Sequence, residues 1–167
     1  MPNDVANFVI ITGDSAEVKR FWAVATTSND VNKNGKFCYD NIYPTPDGVD
    51  WYVWRIKNWG NKWGCYDVDF DISQIDNGII LLSYDTAWSS STPFWTKITK
   101  VFKIRVKNYF HDEGSIFCGK EEYHNGNIIY SIIFNSYKIQ KEYFKKYAKI
   151  CAHPHYYGSG SDDSENE

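Results

Sequence analysis

The chain has 167 residues, of which 18% are aromatic and 23% charged, with 18 Lys and Arg against 21 Asp and Glu. That length suits a single domain core and excludes two well-formed ones. Asp162, Asp163, Glu165 and Glu167 all lie in the closing GSGSDDSENE, so the body is near neutral and lacks a general electrostatic drive toward nucleic acid or anionic membranes.

The first predicted element is a strand in NFVIITG, rich in β-branched residues and closed by Gly13. A helix follows, because Asp14 can accept amide hydrogens of a first turn, Glu17 stands three residues on, and Val18, Phe21, Trp22 and Ala25 fall at helical spacing. Residues 26–48 are polar and punctuated, and read as a long surface connection with a bend at Pro44 to Gly48. WYVWRIKNWGNKWG reads as extended or irregular rather than helical. It leads into CYDVDFDIS, a half-buried strand in which Tyr66, Val68, Phe70 and Ile72 alternate with Asp67, Asp69 and Asp71 on the opposite face.

Asn77-Gly78 predicts a two-residue turn that returns IILLSYD antiparallel. Thr92 is the candidate cap and Pro93 the first position of a second helix, with Trp95, Ile98, Val101 and Phe102 on one side. IRVKNYF alternates as a strand, CGKEEYHNGNIIYSIIF reads as a hairpin about Asn125-Gly126, and an amphipathic helix runs from about Tyr137 to Cys151. A strand, helix, two paired strands, helix and strand form the split β-α-β pattern. The expected fold class is therefore α+β: a ferredoxin-like sandwich, its antiparallel sheet covered by helices on one face, with a C-terminal hairpin and helix added. One domain is expected over residues 1–152, followed by a disordered acidic tail over 153–167.

Four stretches, MPNDVANFVIITG, KNWGNKWGCYD, YDTAWSS and YFHDEGSIFCG, resemble in sequence and order the YubB-type proteins of plasmids and phages, over roughly residues 1–120. That family usually has Thr where Asn61 stands and a Pro-Pro pair where Ser90 and Ser91 stand, and Asp112 matches the first position of an acidic pair. The resemblance implies a ferredoxin-like domain and an origin in a virus, plasmid or other mobile element. It implies no reaction.

KNWGNKWGCYD admits two readings. Gly60 and Gly64 allow positive φ, so Trp59 and Trp63 could share a side with Lys62 over an indole, as an aromatic clamp; alternatively the tryptophans cap the core near Trp88 and Trp95. The latter is the reading the composition favours, since Trp usually buries most of its area. The candidate binding residues are Trp59, Lys62, Trp63, Trp88 and Asp112. For an enzyme, the candidates are Asp85, His111 and Glu113, carboxylates and an imidazole near strand ends where a proton could be exchanged. Cys38, Cys65, Cys118 and Cys151 form no Cys-x-x-Cys pair and the histidines lack ligand spacing, so neither a metal nor a cofactor is expected. The Asp67, Asp69 and Asp71 row reads as a solvated strand face.

Basic residues fall in two groups: Lys97, Lys100, Lys103, Arg105 and Lys107, and Lys138, Lys141, Lys145, Lys146 and Lys149. Familiar nucleotide-binding and hydrolase signatures are absent from the sequence. The leading expectation is a small non-enzymatic interaction protein with a protein partner, of viral or mobile-element origin, inhibition of a host defence being one form. The alternatives are single-stranded nucleic-acid binding on an open sheet face through Trp51, Trp54, Trp59 and Trp63, and an enzyme built on Asp85, His111 and Glu113. The opening lacks a basic segment followed by an apolar one, and no apolar run is long enough to span a bilayer, which sets the expectation of a cytoplasmic protein that is neither secreted nor in the membrane.

Overall fold

In a computed structural model that describes residues 3–29, 35–114 and 116–135, alternating apolar segments build one sheet and two longer helices cover one of its faces. Strand β1 (Asp4–Gly13) leads to helix α1 (Ser15–Ala25), whose N-cap Asp14 accepts from the amides of Ala16 and Glu17. Val18, Phe21, Trp22 and Ala25 are buried, as their spacing predicts. Glu17 does not reach back to the cap; it accepts from Arg20 and from the Lys103 amide, tying α1 to the chain just before Ile104.

Strands β2 (Tyr66–Asp71), β3 (Ile79–Ala87), β4 (Ile104–Asp112), β5 (Cys118–His124) and β6 (Asn127–Phe134) complete a six-stranded sheet of order β2-β3-β1-β4-β5-β6, every neighbouring pair antiparallel. With helix α4 (Thr92–Val101) between β3 and β4, the first four strands and two helices are the expected ferredoxin-like α+β unit. The β5-β6 hairpin extends its sheet beyond β4. Asn125 (φ 49°) and Gly126 (φ 77°) take the two positive-φ positions of the predicted turn. The predicted final helix and the tail lie outside the described residues.

One face of the sheet carries the main core. Val9, Ile11, Ile80, Leu82, Tyr84, Ile104, Val106 and Tyr123 meet Val18, Phe21 and Trp22 of α1 and Phe94, Trp95 and Ile98 of α4. On the opposite face Ala6, Phe8 and Tyr109 form a smaller buried cluster with Ile10 beside it.

Several expectations are corrected. Residues 51–58 are helical: α3 (Trp51–Asn58) starts at Asp50, whose carboxylate accepts from the amides of Tyr52 and Val53 and offsets the weak helix propensity of the aromatic and β-branched residues that follow. The connection before it is not wholly on the surface. It contains α2 (Tyr39–Ile42) and sends Phe37 and Tyr39 into the core, where Phe37 stacks on Trp95 and Tyr39 on Phe94.

The β2-β3 turn is a 3-10 turn over Ile75–Asn77 closed by Gly78 in the left-handed region, not a two-residue loop. Helix α4 takes Ser91 as its N-cap, one residue before the expected Thr92, and buries Phe94 while leaving Val101 exposed. A bulge between Tyr66 and Asp69, with Asp67 at φ 50°, interrupts the even alternation of β2. Asp67, Asp69 and Asp71 therefore do not form one row.

Candidate recognition surface

The segment that follows α3 divides its two tryptophans between core and solvent. Trp59 is fully buried: its indole N–H donates to the Tyr43 carbonyl, its ring meets Tyr39 and Trp54 edge-on, and the Arg55 guanidinium lies 4.4 Å from its centre. Arg55 is held in turn by Asp40 and Thr45. Trp59 is thus a core residue, not part of a clamp, because the backbone reverses at Gly60 (φ 84°) before Trp63 is reached. A Cβ at Gly60 would lie 2.6 Å from Pro93 Cδ, so the reversal is also a close approach to the start of α4.

Polar groups fix this reversal against α4. Asn61, fully buried, donates to Ser91 Oγ at 2.9 Å and accepts the Gly64 amide at 2.7 Å. Tyr39 also donates to Ser91 Oγ, Trp95 donates to Tyr84 OH, and Tyr39 and Tyr84 hydroxyls are 3.1 Å apart. This buried network explains why Ser91 caps α4 without a side-chain bond to the helix: its hydroxyl is engaged elsewhere. Ser89 Oγ donates to the Gly60 carbonyl, joining the end of β3 to the same loop.

Trp63 and Trp88 face solvent, 43% and 44% exposed, and stack at 6.3 Å between ring centres with 29° between planes. Lys62 Nζ lies 4.7 Å from the Trp63 ring centre, 5.5 Å from that of Trp88 and 5.7 Å from that of Tyr52. Tyr52 and its edge-on neighbour Trp51 are exposed as well. Trp88 adopts φ 70°, a left-handed conformation that is a real outlier for a bulky side chain. Its amide donates to the Asn3 carbonyl, while Thr86 donates to the Ser89 carbonyl on the far side. Such strain is held in place by its surroundings and concentrates at binding and active sites.

The other candidates are distributed differently. Asp112 is almost fully buried and accepts from the Ile116 amide and from Asn3, closing the β4-β5 connection. Asp85 and His111 pair in register with opposite sides of Ala6, so they share the sheet face away from the helices, with β1 between them. That separation is two strand spacings, about 9.6 Å between backbones. Glu113 takes the Asp4 amide on its carboxylate. Desolvation pushes the His111 pKa below its ordinary value, with the nearby Asp112 opposing the shift. Among the described residues no group of three His, Cys, Asp or Glu side chains is placed to hold a metal ion.

The aromatic sheet face expected for nucleic acid takes a different form. Trp51 and Trp54 belong to α3, and Trp59 and Trp63 to the loop after it, so none of the four is on the sheet. Of the aromatic residues on its far face, Phe8 and Tyr109 are already buried, and Tyr130 of β6 is exposed with Lys120 over its ring. The first basic group is split: Lys97 and Lys100 are on α4, whereas Arg105 and Lys107 alternate onto the far face, where Arg105 meets Glu122. The second basic group lies outside the described residues. No helix among the described residues is long and apolar enough to cross a membrane.

Fold and surface together define an α+β protein of the ferredoxin-like class with a strained, solvent-facing aromatic cluster beside the start of its second long helix. Residues 65–150 match a family model described as the ferredoxin-like domain in Api92-like protein, and the chain belongs to that family. The match takes in Trp88 but begins after Trp63. A solved structure of protein Api92 from Yersinia pseudotuberculosis is similar to this chain with a TM-score of 0.56 and 9% identity, covering 81% of this chain and 99% of that one. At this identity the likeness shows the fold alone. No curated protein matches.

Proposed function

We propose that this protein is an interaction protein without a reaction of its own, which binds a partner polypeptide through the surface made by Trp51, Tyr52, Trp63 and Trp88. The observation that carries this reading is the exposed Trp63–Trp88 stack on a left-handed backbone. A tryptophan in that conformation at the surface adds strain without adding core. Large rigid aromatic side chains supply the anchors of protein interfaces at small entropic cost.

The resemblance to the YubB-type proteins extends this reading to a role for a virus, plasmid or other mobile element in the host cytoplasm, with inhibition of a host defence as one form. Asn61 and Ser91, two positions where the sequence departs from that pattern, bind each other, so the departures are mutually compatible.

The test is affinity purification of the full chain against the double variant W63A/W88A, with unfolding midpoints measured in parallel. The expected result is a polypeptide recovered with the parent and lost with the variant while the fold persists. An identical set of bound proteins for both would overturn the proposal. Quenching of Trp63 and Trp88 fluorescence by a single-stranded oligonucleotide at low salt, abolished at high salt, would instead move nucleic-acid binding to first place.

A further inference from the structure

Three aromatic rings surround the Lys62 ammonium within the distance at which a cation is attracted to an aromatic face: Trp63 at 4.7 Å, Trp88 at 5.5 Å and Tyr52 at 5.7 Å. They come from three different places in the chain, the first turn of α3, the loop after it and the end of β3. Such an arrangement differs from a chance surface contact, in which a lysine lies across one ring. The backbone that carries the two indoles is fixed by neighbouring residues rather than by Lys62, through Asn61 and Gly64 on one side and through Asn3, Ser89 and Gly60 on the other. Lys62 has a flexible stem and can leave, whereas the rings are short, stiff side chains on α3 and on the tied backbone of the two loops.

We propose that Tyr52, Trp63 and Trp88 form an aromatic cage for the ammonium head of a partner polypeptide's side chain, and that Lys62 is its resident occupant in the free protein. The proposal rests on the interaction reading above and names the chemistry of its contact. The chain's own ammonium is the argument for the class of ligand: a group of that charge already satisfies the cage. An alkylated ammonium fits better than a bare one, because it is less strongly hydrated and presents methyl groups to the ring faces, the arrangement known for quaternary ammonium recognition. Lys62 then acts as a competitor that the incoming group displaces, so its removal strengthens binding, the reverse of what a contact residue would do.

The experiment uses the full chain and its variants K62A and K62A/W63A, with intrinsic tryptophan fluorescence as the readout. The probes are choline chloride, its neutral carbon isostere 3,3-dimethylbutan-1-ol, and a short peptide bearing one trimethyllysine with its unmodified counterpart. The expected result is saturable binding of choline and of the trimethyllysine peptide to K62A, about fivefold tighter than to the parent, weaker binding of the unmodified peptide, and none of the isostere. K62A/W63A should lose the response.

Equal affinity of parent and K62A, or equal binding of choline and the isostere, would overturn the cage. Choline binding without peptide binding would overturn the assignment to a polypeptide side chain and leave a small-molecule cation site. If choline fails to bind K62A while W63A/W88A still loses a captured polypeptide, the cage falls and the interaction surface stands.

Discussion

Trp59 and Trp88 carry the same side chain and make opposite demands on the fold. Trp59 is enclosed, with its N–H satisfied and Arg55 over its face, so W59A should cost about 3–5 kcal/mol in urea unfolding. Trp88 is half exposed and strained. In W88G the relief of about 1–2 kcal/mol of left-handed strain opposes the loss of about 0.5–1.5 kcal/mol of ring contact, so stability should change little while partner binding is lost. A large destabilisation by W88G would mean that Trp88 serves the core. His111 gives a pH-dependent prediction. Because burial lowers its pKa, the folded state favours the neutral ring, and the unfolded chain takes up the proton first on acidification. Its contribution to stability is present above the unfolded value near 6.5 and is lost as pH falls through the lower folded value. H111Q should therefore flatten the stability profile on the acid side of that value, measured by urea midpoints across the range.

Helix α3 is the element the sequence conceals, and it shows why. WYVWRI is aromatic and β-branched, which argues for extended chain, and only Asp50 immediately before it signals a helix start. D50A should remove the acceptor for two amides and destabilise by about 1 kcal/mol, with faster amide exchange concentrated in α3. Uniform loss across the sheet would contradict a local capping role. By contrast α1 and the β5-β6 hairpin are legible, because their signals are local: Asp14 with a repeat of apolar residues, and Asn125-Gly126 at the turn. The start of α4 is shifted by a residue for a tertiary reason. Ser91 answers to Tyr39 and Asn61, and no local rule contains those partners. The same reason hides the Trp63–Trp88 contact. Both tryptophans are visible in the text, but only the β2-β3 return and the Gly60 reversal make them neighbours.

For the molecule as a whole, the order of the six strands with α1 and α4 was legible because their apolar patterns and turns are local, whereas the outer edges of the sheet answer to what lies beside them. Among the described residues β2 and β6 are the outer strands, and they are treated differently. β2 is short, bulged and carries Asp67, Asp69 and Asp71, features that discourage another chain from adding to it. β6 is longer, carries no charge, and exposes Ile128, Ile129, Tyr130 and Ile133. Ile129 stands where the β5-β6 register shifts, so its side chain contributes least to the ladder. I129K should consequently lower concentration-dependent self-association in sedimentation velocity while moving stability by no more than about 0.5 kcal/mol. Because the Trp63–Trp88 surface belongs to the opposite end of the strand order, this substitution should leave partner capture intact. Loss of capture by I129K with an unchanged fold would transfer the recognition surface from the aromatic cluster to the β6 edge.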